Sequence, residues 1–244
     1  MNPLPIAVLA AGSPPTFPHP SRALTDPNGL LAAGGDLSPE RLLAAYRHGI
    51  FPWFSRGEPI LWWSPDPRCV FRTKAIHVSR SLRKQLARSN WTLSADRAFA
   101  DVMRACAAPR SDGHGTWISP AMHAAYVALH HLGHAHSVEV WDGSALVGGI
   151  YGVAVGRLLA GESMFSRESG GSKAALLALA RTLHGWGFPL LDAQVPNPHL
   201  QSLGATALPR QDFLQQLARL VEQPGPSGHW GEIFPLHRAR ALAD

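Results

Sequence analysis

The chain has 244 residues, 45% of them hydrophobic and 16% charged, so it can build one large or two small domains with a real core. No segment approaches the roughly 18 consecutive apolar residues of a membrane-spanning helix. Residues 1–12 lack the basic flank and long apolar run of an export signal. We therefore expect a folded cytoplasmic protein with no membrane partner.

Metal and disulfide frameworks are not indicated. The two cysteines, Cys69 and Cys106, are far apart and lack Cys-x-x-Cys spacing. The histidines at positions 130, 131, 134 and 136 fall across a predicted helix end and strand start, without two imidazoles on one helix face. We expect no metal site.

The net charge of +5 is concentrated locally. Residues 68–88 contain no acid and carry the basic side chains Arg68, Arg72, Lys74, Arg80, Arg83, Lys84 and Arg88. Such clustering is typical of contacts with a phosphate backbone, where neutralised phosphates release counterions. A solvated helix face explains it equally well, and both interpretations stay open at this point.

The first part of the chain, to about residue 70, is rich in proline, glycine and tryptophan. Residues 26–29 (DPNG) predict a turn, and Ser38 followed by Pro39 predicts a helix that ends at Gly49. The aromatic segments at 50–54 and 60–65 contain prolines, which favour edge strands or an ordered loop. Their rings suit either plain core or a surface on which unpaired bases stack.

The second part alternates helices and strands. A helix begins after Ser119 and ends near Gly133, and strands at 135–141, 145–155 and 158–165 then form a predicted antiparallel meander. A helix from Ser172, a strand at 189–195, a short helix at 197–204 and a final helix at 210–222 follow, with an irregular tail. Gly148, Gly149 and Gly152 interrupt the middle strand, which indicates a bulge or the close approach of a ligand.

Three polar side chains stand in apolar strands. Glu162 lies in the third strand of the meander, while Asp192 and Gln194 lie in the strand at 189–195. Burying such groups is costly unless they pair with each other or meet a substrate, so they mark the candidate site.

The element order predicts an α+β fold. A helix, a three-stranded meander, a helix and a further strand is the order of the GCN5-related acyltransferases, here a catalytic domain at 71–244 behind a small N-terminal domain at 1–70. The acyl-CoA loop of those enzymes matches only residues 110–115, between helical patterns, which indicates chance. Residues 166–173 form a glycine loop on a helix N-terminus that suits an anion. A donor other than acyl-CoA is therefore expected.

Six distinctive motifs follow one another along the chain: DPNGLLAAGGDL (26–37), GIFPWF (49–54), WWSPDPR (62–68), GTWI (115–118), HAHSVEVW (134–141) and GESMFS (161–166). In these motifs the chain resembles one enzyme family, the bacterial leucyl/phenylalanyl-tRNA-protein transferases, and the match runs from about residue 17 to 213. The resemblance implies transfer of Leu, Phe or sometimes Met from aminoacyl-tRNA to the α-amine of proteins beginning with Arg or Lys. The product is marked for degradation, and no cofactor is implied.

The same resemblance implies residue roles. Asp192 and Gln194 match the proposed catalytic pair, and the alternative for Asp192 is a structural pairing with an arginine. Substrate binding is implied for Glu162 beside the aminoacyl group, Trp53 and Trp117 beside the terminal adenosine, Tyr46, Tyr126 and Asn197, and a side-chain pocket of Ile150, Met164, Leu179, Leu183 and Leu191. Arg80, Arg83 and Lys84 are expected to bind the tRNA backbone. Strict strand alternation places Asp192 and Gln194 on one face and turns Leu191 away, so Leu191 requires a bulge or is plain core.

Three other classes compete with this interpretation. A CoA-dependent acyltransferase would bind CoA and need no tRNA, while a catalytically silent tRNA-binding protein would form no product. A hydrolase using Glu162 and Asp192 would need neither an amine nor a nucleic acid, and it ranks last.

Overall fold

The computed structural model describes residues 6–108 and 117–243. The loop at 110–115 and the first two residues of the GTWI motif lie outside these ranges. The strands are β1 (Ala7–Leu9), β2 (Leu30–Gly34), β3 (Phe51–Pro52), β4 (Leu61–Trp63), β5 (Arg68–Arg72), β6 (Thr92–Ala95), β7 (Ala135–Asp142), β8 (Ala145–Val155), β9 (Leu158–Ser166), β10 (Leu190–Gln194) and β11 (Thr206–Leu208). The α-helices are α1 (Pro39–Arg47), α2 (Arg80–Arg88), α3 (Phe99–Cys106), α4 (Pro120–His131), α5 (Gly171–Gly185), α6 (Pro198–Ser202) and α7 (Arg210–Leu220).

The predicted helix starts are confirmed by their capping geometry. The side chains of Ser38 and Ser119 accept hydrogen bonds from the backbone amides three residues on, Arg41 and Met122, and each serine is followed by a proline. A serine oxygen in this position satisfies an amide that has no partner within the helix. Local sequence signals therefore set where α1 and α4 begin.

The smaller sheet has the strand order β1-β2-β4-β3. The prediction of edge strands for the two aromatic segments is correct for β3, but β4 is an interior strand between β2 and β3. Its central residue Trp62 is fully buried and donates its indole N–H to the carbonyl of Gly34 at 2.9 Å. That hydrogen bond lets a polar aromatic ring serve as core.

The larger sheet has the order β11-β5-β10-β9-β8-β7-β6. The meander β7-β8-β9 is antiparallel as predicted, and β10 pairs with β9 in parallel after the crossover through α5. This is the α+β element order expected for a GCN5-related acyltransferase domain. A parallel neighbour requires such a crossover, because a tight hairpin can join only antiparallel strands.

Two apolar cores cover the two faces of the larger sheet. One contains Tyr126 of α4 and Val102 of α3 and extends to Leu42 of α1. The other contains the inward side of α5, including Leu176, together with Ile150 of β8. The first core is shared by the two sheets, and β5 itself spans residue 70, so the domain division at that residue stays a prediction.

The strand glycines allow backbones to touch. A Cβ on Gly148 would lie 2.4 Å from the carbonyl carbon of Gly171, and one on Gly152 would lie 2.3 Å from the carbonyl oxygen of Ala160. The predicted bulge is present, since the pairing of β8 with β9 shifts between Tyr151 and Gly152. The alternative of a ligand near Gly148 is wrong, because the N-terminus of α5 occupies that space.

The segment after α7 is irregular apart from a 3-10 turn at Ala239–Leu242, yet it is well packed. Trp230 and Phe234 are buried in the core beside α5, and the Trp230 amide donates to Asp96 at 2.7 Å. The sequence pattern predicted the irregular backbone and missed this packing.

Candidate active site

Two bulges separate β9 from β10 and open the site. The parallel pairing of β9 with β10 ends where Asp192 lies opposite Ala160. Beyond this point Glu162 has no partner on β8, because Gly161 pairs with Gly152 and Ser163 with Tyr151. On the other side, the pairing of β10 with β5 shifts between Asp192 and Gln194. An extra residue bends its strand and breaks the ladder, so the two strand ends diverge.

The gap between these strand ends is a cavity of about 350 Å³. Its wall contains Phe51, Pro52, Trp53, Phe71, Trp117, Ile150, Gly161, Glu162, Ser163, Met164, Leu176, Leu191, Ala193, Gln194, Val195, Pro196, Asn197 and Leu200. An apolar wall with a few polar groups at fixed points is typical of a small-molecule site. The size suits one amino-acid side chain with its attached group.

The structure brings most of the predicted pocket residues together. Ile150, Met164 and Leu191 line the cavity. The bulge after Asp192, one of the two alternatives left open by strand alternation, is present and brings Gln194 into the same wall as Leu191. Leu179 and Leu183 do not line the cavity and lie in the core behind, so their assignment to the side-chain pocket is not supported.

Sequence reasoning missed other parts of the wall. Phe51, Phe71, Leu176 and Leu200 line the cavity as well. Leu176 lies on the inward stripe of α5, but that periodicity does not distinguish a cavity wall from plain core. Phe71 comes from β5, whose position beside β10 depends on a long-range antiparallel pairing.

Glu162 is the polar centre of the cavity. Its Oε1 accepts from the Tyr46 hydroxyl and from Gln194 Nε2, both at 2.8 Å, and its Oε2 lies 2.9 Å from the Tyr126 hydroxyl. Burial raises the pKa of Glu162 to about 7, although these hydrogen bonds oppose the shift. Tyr46 and Tyr126 are themselves buried outside the cavity wall, so they act on Glu162 instead of touching the contents of the cavity.

Asp192 forms a buried ion pair. Arg68 donates Nε and Nη2 to its two carboxylate oxygens at 2.8 and 2.7 Å, and both residues are only 1% exposed. The guanidinium also lies 4.8 Å from the ring centroids of Phe51 and Phe213. The pairing of Asp192 with an arginine, left open by the sequence, is therefore present, and Arg68 is not available to a phosphate backbone.

The expectation that Asp192 and Gln194 share one face of a regular strand is wrong. Gln194 follows the bulge with a backbone φ of +61° and lines the cavity, whereas Asp192 does not. The two residues are still connected, because Asp192 Oδ1 accepts the backbone N–H of Gln194 at 2.9 Å. Few non-glycine residues adopt a positive φ, so this hydrogen bond helps to hold Gln194 in an unfavourable backbone conformation.

Aromatic and polar groups border the cavity. Trp53, which is 43% exposed, and Trp117 both line it. The Trp63 indole donates to the carbonyl of Trp53 at 2.6 Å and fixes its backbone. Asn197 also lines the cavity, while its side chain caps α6 by accepting from the Leu200 amide at 2.8 Å.

The basic residues of α2 face solvent. Leu82 and Leu86 bury one side of the helix, which leaves Arg80, Arg83 and Lys84 exposed on the other. The side chain of Gln85 contacts the loop before α5, since its Nε2 donates to the carbonyl of Ser169 at 2.5 Å. The helix is therefore anchored next to the glycine loop, with its cations free to meet a polyanion.

One group of described residues could hold a metal ion. Asp96, His130 and His229 bring one potential ligand atom each to within 4.8 Å of one another. Asp96 already accepts from the amides of Ser137 and Trp230, and the His136 ring nitrogen lies 2.8 Å from it. These bonds give the cluster a structural role, and the absence of a metal site stays a prediction.

The fold and site together define an acyltransferase-type α+β enzyme, with an apolar cavity between diverging parallel strands. Residues 70–218 match the family described as leucyl/phenylalanyl-tRNA protein transferase, and residues 35–66 match its N-terminal domain. A relative in Xanthomonas euvesicatoria, named leucyl/phenylalanyl-tRNA–protein transferase, is 60% identical over 97% of this chain and 95% of its own length. A relative of the same name in Shewanella baltica is 56% identical over 88% and 90%. The chain belongs to this family and is an aminoacyltransferase.

The similarity to solved structures is low. The solved structure titled L-PGS from Bacillus licheniformis shares 11% identity and a TM-score of 0.41, over 80% of this chain and 73% of that one. Among the residues described, no helix is long and apolar enough to cross a membrane.

Proposed function

We propose that the cavity receives the aminoacyl end of a tRNA charged with Leu, Phe or Met. The residue is then transferred to the α-amine of a protein that begins with Arg or Lys, which creates a degradation signal in the cytoplasm. The observation that carries the proposal is the cavity itself, an aliphatic and aromatic wall that meets Glu162 and Gln194 at one edge. Family membership and this wall together support an apolar aminoacyl group as the donor.

The reaction makes modest demands on the protein. An aminoacyl ester is already activated, and an α-amine with a reference pKa near 8 is partly neutral at cell pH. The amine nitrogen forms the new C–N bond, the ester C–O bond breaks, and the proton lost by the amine ends on the ribose oxygen. Alignment of the two reactants supplies most of the acceleration.

Gln194 is suited to guide the amine. Its Nε2 is occupied by Glu162, so its carbonyl Oε1 is the atom left to accept an N–H from an incoming amine. Asp192 does not line the cavity and is neutralised by Arg68, so we assign it a positioning role that acts through the backbone of Gln194. Gln194 is thus the member of the pair that contacts substrate.

Glu162 and the tryptophans account for the rest of the donor. The carboxylate form of Glu162 attracts a cationic amine, either that of the aminoacyl group or that of the acceptor. The flat faces of Trp53 and Trp117 suit stacking on the terminal adenine. The cations of α2 suit the phosphate backbone, which positions a nucleic acid without reading its sequence.

The test follows labelled leucine from leucyl-tRNA into a peptide that begins with Arg. Transfer should be lost when the peptide N-terminus is acetylated, when the tRNA is digested with ribonuclease, or when Gln194 is changed to Ala. Labelling from acetyl-CoA, or failure to label the Arg peptide from fresh leucyl-tRNA, would refute the proposal.

A charge-reversal variant tests the tRNA surface. Arg83→Glu with Lys84→Glu should weaken binding of many tRNAs alike and reduce its salt dependence. Arg219→Glu, an exposed cation on α7, is the matched control and should have a smaller effect. Selective loss of one tRNA would show that α2 reads sequence.

A further inference from the structure

Three oxygen-to-oxygen contacts around Glu162 form a closed ring. The Tyr46 hydroxyl contacts Oε1, the Tyr126 hydroxyl contacts Oε2, and the two phenol oxygens contact each other. Each contact needs one proton between its two oxygens in order to attract. Two neutral phenols supply only two protons for the three contacts.

The missing proton must come from the carboxyl group. Burial raises the pKa of Tyr46 and of Tyr126 well above the usual range, so neither phenol is ionised. With Glu162 ionised, both phenols donate to it and their oxygens meet as two lone pairs. With Glu162 protonated, it donates to Tyr126, Tyr126 donates to Tyr46, and Tyr46 donates to Oε1.

The surroundings agree with a neutral ring. The titratable and polar groups that face Glu162 are Tyr46 on α1, Tyr126 on α4, Tyr151 on β8, and Asp192 and Gln194 on β10. Cys106 on α3 interacts with Tyr151. Arg68, which contacts Asp192 of this set, is already neutralised by that ion pair. A charged Glu162 therefore lacks a counter-ion among the described residues facing it.

We propose that Glu162 is protonated in the ligand-free protein, so that its proton closes the ring with Tyr46 and Tyr126. The ring exchanges this carboxyl proton for a cationic amine that enters the cavity. The inference rests on the proposed function for the identity of that amine. The exchange is balanced, because the ammonium group of the ligand takes the place of the proton and the proton leaves to solvent. The carboxylate and the bound ammonium group together therefore carry the same net charge as the empty, protonated site.

The exchange has a consequence for selectivity. A neutral ring gives up its proton only to a ligand that brings a positive charge. An apolar compound of the same shape without an amine leaves the ring intact. The ring therefore makes the cavity selective for the amino end of an aminoacyl group or of an acceptor chain.

The test uses protein labelled with ¹³C at the glutamate carboxyl carbon, of which the chain has few (Glu40, Glu58, Glu139, Glu162, Glu168, Glu222 and Glu232). One resonance that disappears in Glu162→Gln should titrate with a midpoint near 7 in the ligand-free protein. Burial also raises the pKa of Glu139, so the assignment by the Glu162→Gln variant is essential. A Glu162 midpoint below about 5 would overturn the proposal.

Single tyrosine variants separate a ring from simple donation. Tyr126→Phe removes two hydrogen bonds from the protonated ring but only one from the form in which Glu162 is ionised. In the ionised form it also removes the repulsion between the two phenol oxygens. Both effects favour the ionised form, so the titration midpoint of Glu162 should fall. If the phenols only donate to a carboxylate, losing one donor should raise the midpoint instead. Tyr151→Phe is the matched control, because its hydroxyl is buried nearby without a hydrogen-bond partner among the described residues, and it should leave the midpoint unchanged.

The exchange itself is tested by adding leucinamide at pH 6.5, with N-acetyl-leucinamide as the neutral control. The methyl resonance of Met164, which lines the cavity, reports entry of either compound. Leucinamide should convert the Glu162 resonance to its ionised position and release about one proton per molecule bound, and the control should do neither. A Glu162 resonance that stays protonated with leucinamide, or a Met164 resonance that leucinamide leaves unmoved, would overturn the exchange. If Glu162 titrates near 7 but no leucine is transferred from leucyl-tRNA, the proposed function is refuted while the protonated ring is supported.

Discussion

Replacing Arg68 with Met should unfold or severely destabilise the protein. The change removes two charge-assisted hydrogen bonds to Asp192, at 2.8 and 2.7 Å, and a third to the carbonyl of Gly49 at 3.1 Å. It leaves a carboxylate that is 1% exposed without a counter-ion. Breaking a buried pair from one side typically costs about 3–5 kcal/mol, a large part of the stability of an ordinary domain.

The same reasoning predicts strong coupling between the two positions. Asp192→Asn alone should also destabilise, because it leaves the guanidinium buried between two rings without an anion. In the double variant Arg68→Met with Asp192→Asn no charge is left buried, and the side-chain oxygen of Asn can still accept from the Gln194 amide. The double variant should therefore be more stable than the sum of the single losses by about 2 kcal/mol or more.

Urea denaturation of the four proteins at pH 7 measures this coupling energy. The pair formed by Arg47 and Glu222 is the matched control, since its N–O distance is 3.0 Å but its side chains are 45% and 74% exposed. A cycle there should give less than about 1 kcal/mol. A coupling at Arg68 and Asp192 as small as that of the surface pair would refute the account of a desolvated pair that supports β10.

Three further variants test other parts of the structure. Folding raises the pKa of Glu162 from 4.5 to about 7, so the free energy of unfolding should fall by at most about 3 kcal/mol as pH rises through that range. The wild-type urea midpoint should therefore be lower at pH 8 than at pH 5, and Glu162→Gln should flatten this difference. Gly148→Ala should lower thermal stability by about 1–3 kcal/mol, because the added methyl group clashes with the N-terminus of α5. Gly185→Ala is the control, since the space around Gly185 is open. Equal melting temperatures for the two variants would contradict the close approach of β8 to α5. Leu176→Phe should narrow the cavity and reduce kcat/KM for phenylalanyl-tRNA about tenfold relative to leucyl-tRNA, and an equal loss for both donors would show that Leu176 does not limit the size of the side chain.

The local elements of this fold were accessible from the sequence. Serine caps, first-turn prolines and terminal glycines act within a few residues, and they placed α1 and α4 correctly. The alternation of apolar and polar residues and the turn at Asp142-Gly143 are also local signals, and they placed the meander correctly. The polar residues in apolar strands, Glu162 and Gln194, also pointed to the cavity, because burial of such groups needs an explanation.

The exact site depended on contacts between distant parts of the chain. Arg68 and Asp192 are far apart in sequence, and only the pairing of β5 with β10 brings the cation to the carboxylate. The bulges at Glu162 and before Gln194 break strand alternation, which is why the expected shared face of Asp192 and Gln194 was wrong.

The helices, the meander and the chemical groups available are specified locally, since they depend on neighbours along the chain. Which carboxylate is neutralised, which leucines line a cavity instead of filling a core, and where the strands part depend on how distant segments pack together. Burial, pairing and strand register are properties of the packed molecule, because each is set by whichever side chain lies across the sheet.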